Sequence, residues 1–312
     1  MLTGAEFLKV FLRSLHLEAL GYLAIFMVAH WYLSLFCQTF YLHRYSAHKM
    51  FTMSPFWEKF FYALTWITQG SSFLSPRAYA ILHRMHHEYS DTHDDPHSPH
   101  HTDNVMTMMW KTKIIYNNVL KWRVKPEEKF LGDYPEWDAM DRLADSWFSR
   151  IGWVLFYIAI YAIALPVSLW WVMPIAVPIH ALMGPIHGAI VNWSGHKYGY
   201  SNWDNGDKSK NTLFADVLLL GELFQNNHHY YPLRPNFATK WWEFDPTYPV
   251  IKLLNAVGVI KISNSPAAQM SAAPIQPRPD YTTVEAVKIP EEISRKLNKK
   301  AYKRREMAKE MA

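Results

Sequence analysis

Two stretches of this chain carry no Asp, Glu, Lys or Arg: residues 19–42, 24 positions, and residues 151–196, 46 positions. A helix needs about 20 apolar residues to cross a bilayer, so the first run has the length of one crossing and the second of two. With no water in the membrane core, each crossing must satisfy its backbone within itself, which here means helices. The expected fold is an all-α integral membrane protein with about three to four transmembrane helices and a cytoplasmic helical cap. The expected spans are 19–42, 151–172 and 174–195. A tight turn near Trp171, Val172, Met173 and Pro174 joins the last two.

The segments around these runs complete the organisation. Glu6, Lys9, Arg13 and Glu18 precede the first run. That order does not suit a basic leader followed by a cleaved apolar core, so residues 1–18 are expected to hold an amphipathic helix over 7–17 lying on the membrane surface. Residues 56–75 are aromatic and largely apolar but include Glu58, Lys59 and Gln69, and they are expected to be interfacial or re-entrant. Residues 19–262 form one domain. Residues 263–312 open as a Pro/Ala/Ser-rich linker and end in a basic tail with a helix beginning at Pro290-Glu-Glu. The single cysteine, Cys37, excludes disulfides.

Charge gives the orientation. Lys and Arg number 13 over residues 43–150 and 17 over 197–312, whereas only Lys9 and Arg13 lie elsewhere. Basic loops stay on the cytoplasmic side, so both long segments are expected there. The parity holds only if residues 56–75 do not cross.

On that face lie eight histidines in four groups: His43-Arg-Tyr-Ser-Ala-His48, His83-Arg-Met-His86-His87, Asn192-Trp-Ser-Gly-His196 and Gln225-Asn-Asn-His228-His229. Each group stands at or between the ends of apolar segments. Neutral imidazole is the commonest transition-metal ligand near neutral pH. A single site takes three or four protein ligands, so eight histidines fit two metals. His83, His86 and His87 stand at i, i+3, i+4 and share one helix face. Gln225, His228 and His229 repeat that template, and Asn192 and His196 stand at i, i+4. His43 and His48 are five apart and would point about 140° apart on a regular helix. Either the helix ends there or the two serve different metals. An isolated histidine near a helix end is ordinarily a surface or core residue, so His16, His30, His100 and His101 are assigned no metal. All-imidazole surroundings suit Zn, Cu, Fe or Ni without deciding among them. No phosphate-binding glycine loop and no nucleic-acid motif is found.

These residues resemble the membrane fatty-acid desaturases, in particular the branch containing the stearoyl-CoA Δ9 desaturases. The first two histidine groups match the family's first two boxes, and the second continues into Ser90-Asp-Thr-His-Asp-Asp-Pro-His97 as that branch does. Asn192 to His196 matches the segment before the last box, and Gly221-Glu-Leu-Phe-Gln-Asn-Asn-His-His229 matches the third box. The resemblance covers residues 20–240. It implies two iron ions held by His43, His48, His83, His86, His87, His196, His228 and His229, with Asn192 reaching a metal through water. It also implies Arg44, Asp94, Asp95 and Glu222 as partners of the ligand rings. O2 would be the co-substrate, and the acyl chain, on CoA or a phospholipid, would lose two hydrogens, the Δ9 position being that of the branch.

One departure stands out. Gln225 occupies the place where the stearoyl-CoA enzymes begin the third box with histidine; other desaturase subgroups carry glutamine there. His187 is an additional candidate for the metal site, although it lies about 180° around and about 13 Å along an ideal helix from His196. His180 is expected to be a buried, hydrogen-bonded residue, and His93 and His97 to order the loop after the second box. No His-Pro-Gly-Gly haem loop is present, so electrons are expected from a separate ferredoxin-like or b-type cytochrome donor with its reductase. The expected location is a bacterial inner membrane. The rival readings are a di-iron hydroxylase or ketolase on the same scaffold, and a metal-binding transporter. Transporters place polar ligands near the bilayer midplane in repeated halves, which this pattern does not share.

Overall fold

The computed structural model describes residues 4–263. The chain divides into two units, Met1–Ile275 and Gln276–Ala312, and the described residues belong to the first. The linker and basic tail expected after residue 263 lie outside them.

The architecture is helical. Helix α1 (Gly4–Phe36) passes without interruption into a wide π-helical segment, Cys37–Ala47. The helix has no break at residue 18, so the surface helix expected over 7–17 is continuous with the first span. His16–Ala47 is long and apolar enough to cross a membrane, and so is α6 (Trp147–Ala164). A third candidate is a broken one: Val167–Ala181 and Met183–Lys197 meet at 65°.

Prolines explain why the second apolar run differs from the two straight spans expected. The residue before a proline is pushed out of the helical region. Leu165, before Pro166, has φ −102° and ψ 135° and ends α6. A short 3₁₀ stretch (Val167–Val172) follows, and α7 (Met173–Ala181) starts with Pro174 in its first turn and contains Pro178. The chain bends at Leu182 into α8 (Met183–Lys197). The turn therefore falls six residues earlier than the sequence suggested, and the bend takes the place of a straight third span.

Helix α2 (Pro55–Gln69) has 15 residues, short of the roughly 20 a crossing takes. It starts cleanly, with Ser54 accepting from the Trp57 N–H and Pro55 in the first turn. One face packs Phe61 and Tyr62 against Phe40, Tyr41 and Phe51, while Phe56, Phe60 and Ile67 stay exposed. It stops at Gly70, whose φ is +53° and where a Cβ would meet the Tyr157 hydroxyl at 1.9 Å. Such a position admits only glycine. Helix α3 (Pro76–Tyr89) follows and lies against the π-helical segment and α4 (Val105–Leu120), and the short α5 (Asp138–Ala144) packs against α6.

The principal core joins Phe40, Tyr41, Leu42, Phe51, Phe61, Phe224, Phe237, Ile251 and Ile260. Strand β1 (Phe51–Met53) pairs antiparallel with β2 (Ile260–Ile262), Phe51 facing Ile262. This ties the end of the described chain to the segment just after the first histidine pair. Between α8 and α10 (Thr247–Ala256) lie long loops and the six-residue α9 (Gln225–Tyr230).

Candidate metal centre

The π-helical segment settles how His43 and His48 act together. Its bonding runs from residue i to i+5, and the His48 N–H donates to the His43 carbonyl at 3.2 Å. Residues five apart thereby come onto one face, which a regular helix does not allow. Both rings enter the same pocket.

That pocket collects five imidazoles: His43, His48, His83, His87 and His228, with one ligand nitrogen of each within 4.8 Å of the others. The Nε2 atoms face each other: His48 to His83 at 2.8 Å, His87 to His83 at 3.0 Å, and His43 and His87 to His228 at 2.9 Å each. A bilayer crossing between the first and second groups would separate them by about 30 Å. The contact between His48 and His83 is therefore the direct evidence that α2 does not cross.

Burial, and then the neighbouring imidazoles, hold His48, His83, His87 and His228 well below the ordinary histidine range, which favours the uncharged ring. Single protons can join such nitrogens only in pairs, whereas one cation accepts all five lone pairs. The donor set fits a transition metal.

A second group stands beside it: His86, His196 and His229, again with ligand nitrogens within 4.8 Å of one another. His86 Nε2 is 3.2 Å from His229 Nε2, and the buried Nε2 of His196 has no protein partner. Each ring is oriented from behind by a buried carboxylate. His86 Nδ1 meets Asp95 at 3.0 Å, His196 Nδ1 meets Asp91 at 2.9 Å, and His229 Nδ1 meets Asp207 at 2.5 Å. Such partners fix which nitrogen carries the proton and leave the other as the ligand. Burial alone would raise these three carboxyls. The imidazoles these carboxyls bond, His196 for Asp91, His86 for Asp95 and His229 for Asp207, instead hold all three well below the usual carboxylate range.

In the five-histidine pocket, among the described residues, only His43 has a carboxylate behind it, Glu222 at 2.7 Å. Glu222 is itself held by Thr39 and lies 3.5 Å from Arg44. Arg44 is fully buried, donates to Asp245 at 2.8 Å and to the Pro235 carbonyl at 3.1 Å, and stacks over Phe237 at 3.7 Å. This network fastens the first box to the loop before α10.

The other residues singled out from the sequence fall as follows. Asp94 is exposed, whereas its neighbour Asp95 makes the contact with His86. Asn192 is half-buried on α8, one turn before His196. Gln225 is buried; its amide donates to the Glu222 carbonyl at 2.6 Å, and its Cγ would lie 2.4 Å from a Cβ on Gly195. His187 lies apart from both groups, edge-on to Trp31 at 4.3 Å, and both its ring nitrogens lack partners. His180 is hydrogen-bonded to His30 at 2.5 Å and to Tyr161 at 2.7 Å. His100 and His101 reach the backbone carbonyls of His196 and Asp91 and tie the loop after α3 to α8. Asp91 and Asp207 were missed. Asp91 belongs to the quoted continuation of the second box, a signal that was available, but Asp207 sits in a loop without local pattern.

The comparisons with known proteins agree with this centre. The fatty acid desaturase family model matches residues 18–255. An acyl-CoA 5-desaturase of Anemone leveillei is 29% identical over 232 residues, covering 72% of this chain and 66% of that protein. A sn-1 stearoyl-lipid 9-desaturase of Anabaena variabilis is 28% identical, covering 70% of this chain and 74% of that protein. A hex-5-enoyl-[acyl-carrier protein] acetylenase of Moorena producens is 26% identical, covering 79% and 78%. The chain thus spans about two thirds of the first of these relatives. With its apolar helices and two histidine clusters, it is a membrane protein that belongs to the fatty acid desaturase family, a family of oxidoreductases acting on acyl chains.

Proposed function

We propose that this protein is an O2-dependent desaturase that introduces a cis double bond, at Δ9, into a saturated fatty acyl chain at a two-iron centre. The observation that carries this reading is the pair of imidazole groups, five and three, that meet where the membrane helices α1 and α8 end. His43, His48, His83, His87 and His228 would hold one iron, and His86, His196 and His229 the other. Asn192 would reach a metal through water. Bound iron would supply the oxidising power needed to take hydrogen from an unactivated methylene.

The overall balance is simple. Two hydrogens leave adjacent methylenes as two electrons and two protons. Together with two electrons and two protons from outside, they reduce O2 to two waters. The protein's own residues do the placing. Glu222, Asp91, Asp95 and Asp207 fix the ligand rings, and Arg44 holds Glu222. Six of the eight rings are buried and His48 and His87 half-buried, which limits the water that would divert the reaction.

The acyl chain would arrive on CoA or on a phospholipid, since the relatives include an acyl-CoA and a lipid desaturase. The basic residues of 43–150 and 197–312 favour a cytoplasmic site in a bacterial inner membrane. They also suit an acidic ferredoxin-like or cytochrome donor. The test is expression in a desaturase-deficient host followed by mass spectrometry of its lipids. Loss of two hydrogens at one position is expected. Gain of one oxygen as the main product would make the protein a hydroxylase, and an unchanged lipid profile with no iron in the purified protein would overturn the reading.

A further inference from the structure

The two imidazole groups are unequal, and the residue that would even them out is Gln225. It stands one turn before His229 on α9, against Gly195 and so next to His196. A histidine at this place would face the three-imidazole group. The glutamine amide is instead bonded to the Glu222 carbonyl, and an amide oxygen is a poor donor to iron beside imidazole.

A ninth ring lies beside that group. His97 is 6% exposed, and among the described residues neither Nδ1 nor Nε2 has a partner. A buried imidazole without partners gives up two hydrogen bonds for nothing unless something else takes its lone pair. Its ring lies 4.1 Å from that of His86, and ligand atoms of His86, Asp95 and His97 all fall within 4.8 Å of one another. The loop that carries it is held in place. The His97 N–H donates to Asp95 at 2.9 Å, Lys111 reaches the Asp95 carbonyl at 2.8 Å, and Thr112 reaches that of Pro96 at 3.1 Å. His187 is equally unpartnered, but it faces Trp31 and no ligand group. The difference between the two is the company His97 keeps.

We infer that His97 donates a ring nitrogen to the metal held by His86, His196 and His229, adding the donor that Gln225 does not supply. The inference rests on the two-metal reading above and adds a ligand to it.

The test uses the full chain, purified metal-free in detergent and titrated anaerobically with iron(II) alone. Bound iron is counted per chain. The wild type is expected to bind two. His97→Phe keeps a ring against His86 but removes the nitrogen. It is expected to hold one iron as before and to weaken the other at least about tenfold. Adding Gln225→His to His97→Phe is expected to restore the second iron, because it supplies an imidazole to the same group. If His97→Phe binds both irons as tightly as the wild type, the ring only packs and the inference fails. It fails equally if the loss occurs and Gln225→His does not repair it. A wild type that binds fewer than two irons would instead break the two-metal reading itself.

Discussion

The five-histidine and three-histidine groups lie side by side, yet they are built on different terms. In the first, imidazoles are abundant and, among the described residues, only His43 has a carboxylate behind it. In the second, imidazoles are fewer, and His86, His196 and His229 each have one. A carboxylate behind an imidazole orients the ring and makes its free nitrogen a better donor. Number on one side is matched by orientation and basicity on the other. The elements differ as well. The five come chiefly from the π-helical end of α1 and from α3, which are packed together, whereas the three depend on loop carboxylates at Asp91, Asp95 and Asp207.

The contrast can be broken outright. His86→Ala or His229→Ala removes one of only three imidazoles, and desaturation is expected to vanish while the protein still inserts in membranes. Product analysis together with membrane fractionation checks this, and retained turnover would take that residue out of the centre. Next in size is a stability effect. Arg44→Ala leaves Glu222 and Asp245 buried without their cation, which costs about 3–5 kcal/mol. A lowered thermal midpoint in detergent is the expected outcome.

The comparison itself is sharpened by the carboxylates. Asp91→Asn and Asp207→Asn are each expected to weaken one iron by roughly 10–100-fold. Glu222→Gln, which supports one ring among five, should cost less in the same iron(II) titration. Equal losses from all three would mean that the two groups are not built differently. The smallest effect is expected at Gly195→Ala. Its Cβ would press on the Gln225 side chain at 2.4 Å, and overpacking of this kind costs about 1–3 kcal/mol, read as a modest fall in the thermal midpoint.

Much of this was legible from residue order. His83, His86 and His87 lie on one face because i, i+3, i+4 spacing on a helix leaves no alternative, and α3 forms as that spacing requires. The membrane runs are visible because charge is excluded from them over 24 and 46 positions. The first pair was harder. A spacing of five says nothing definite until the backbone is known to widen from Cys37 to Ala47, and that widening has no local signature. The broken third span has a local cause in Pro166, Pro178 and Pro185, set within an otherwise continuous apolar run.

Local chemistry was enough to indicate a membrane protein with clustered histidines, because hydrophobic length and helical spacing are properties of short segments. How eight rings divide into five and three is another kind of fact. It depends on which ends of α1, α3, α8 and α9 meet, and on loops that bring Asp91 to His196 and Asp207 to His229 across 105 and 22 residues. No short segment holds that information, because it resides in packing between elements far apart in the chain. The same is true of Gln225: the sequence gives its identity, but only the fold shows it against Gly195, with His97 beside His86.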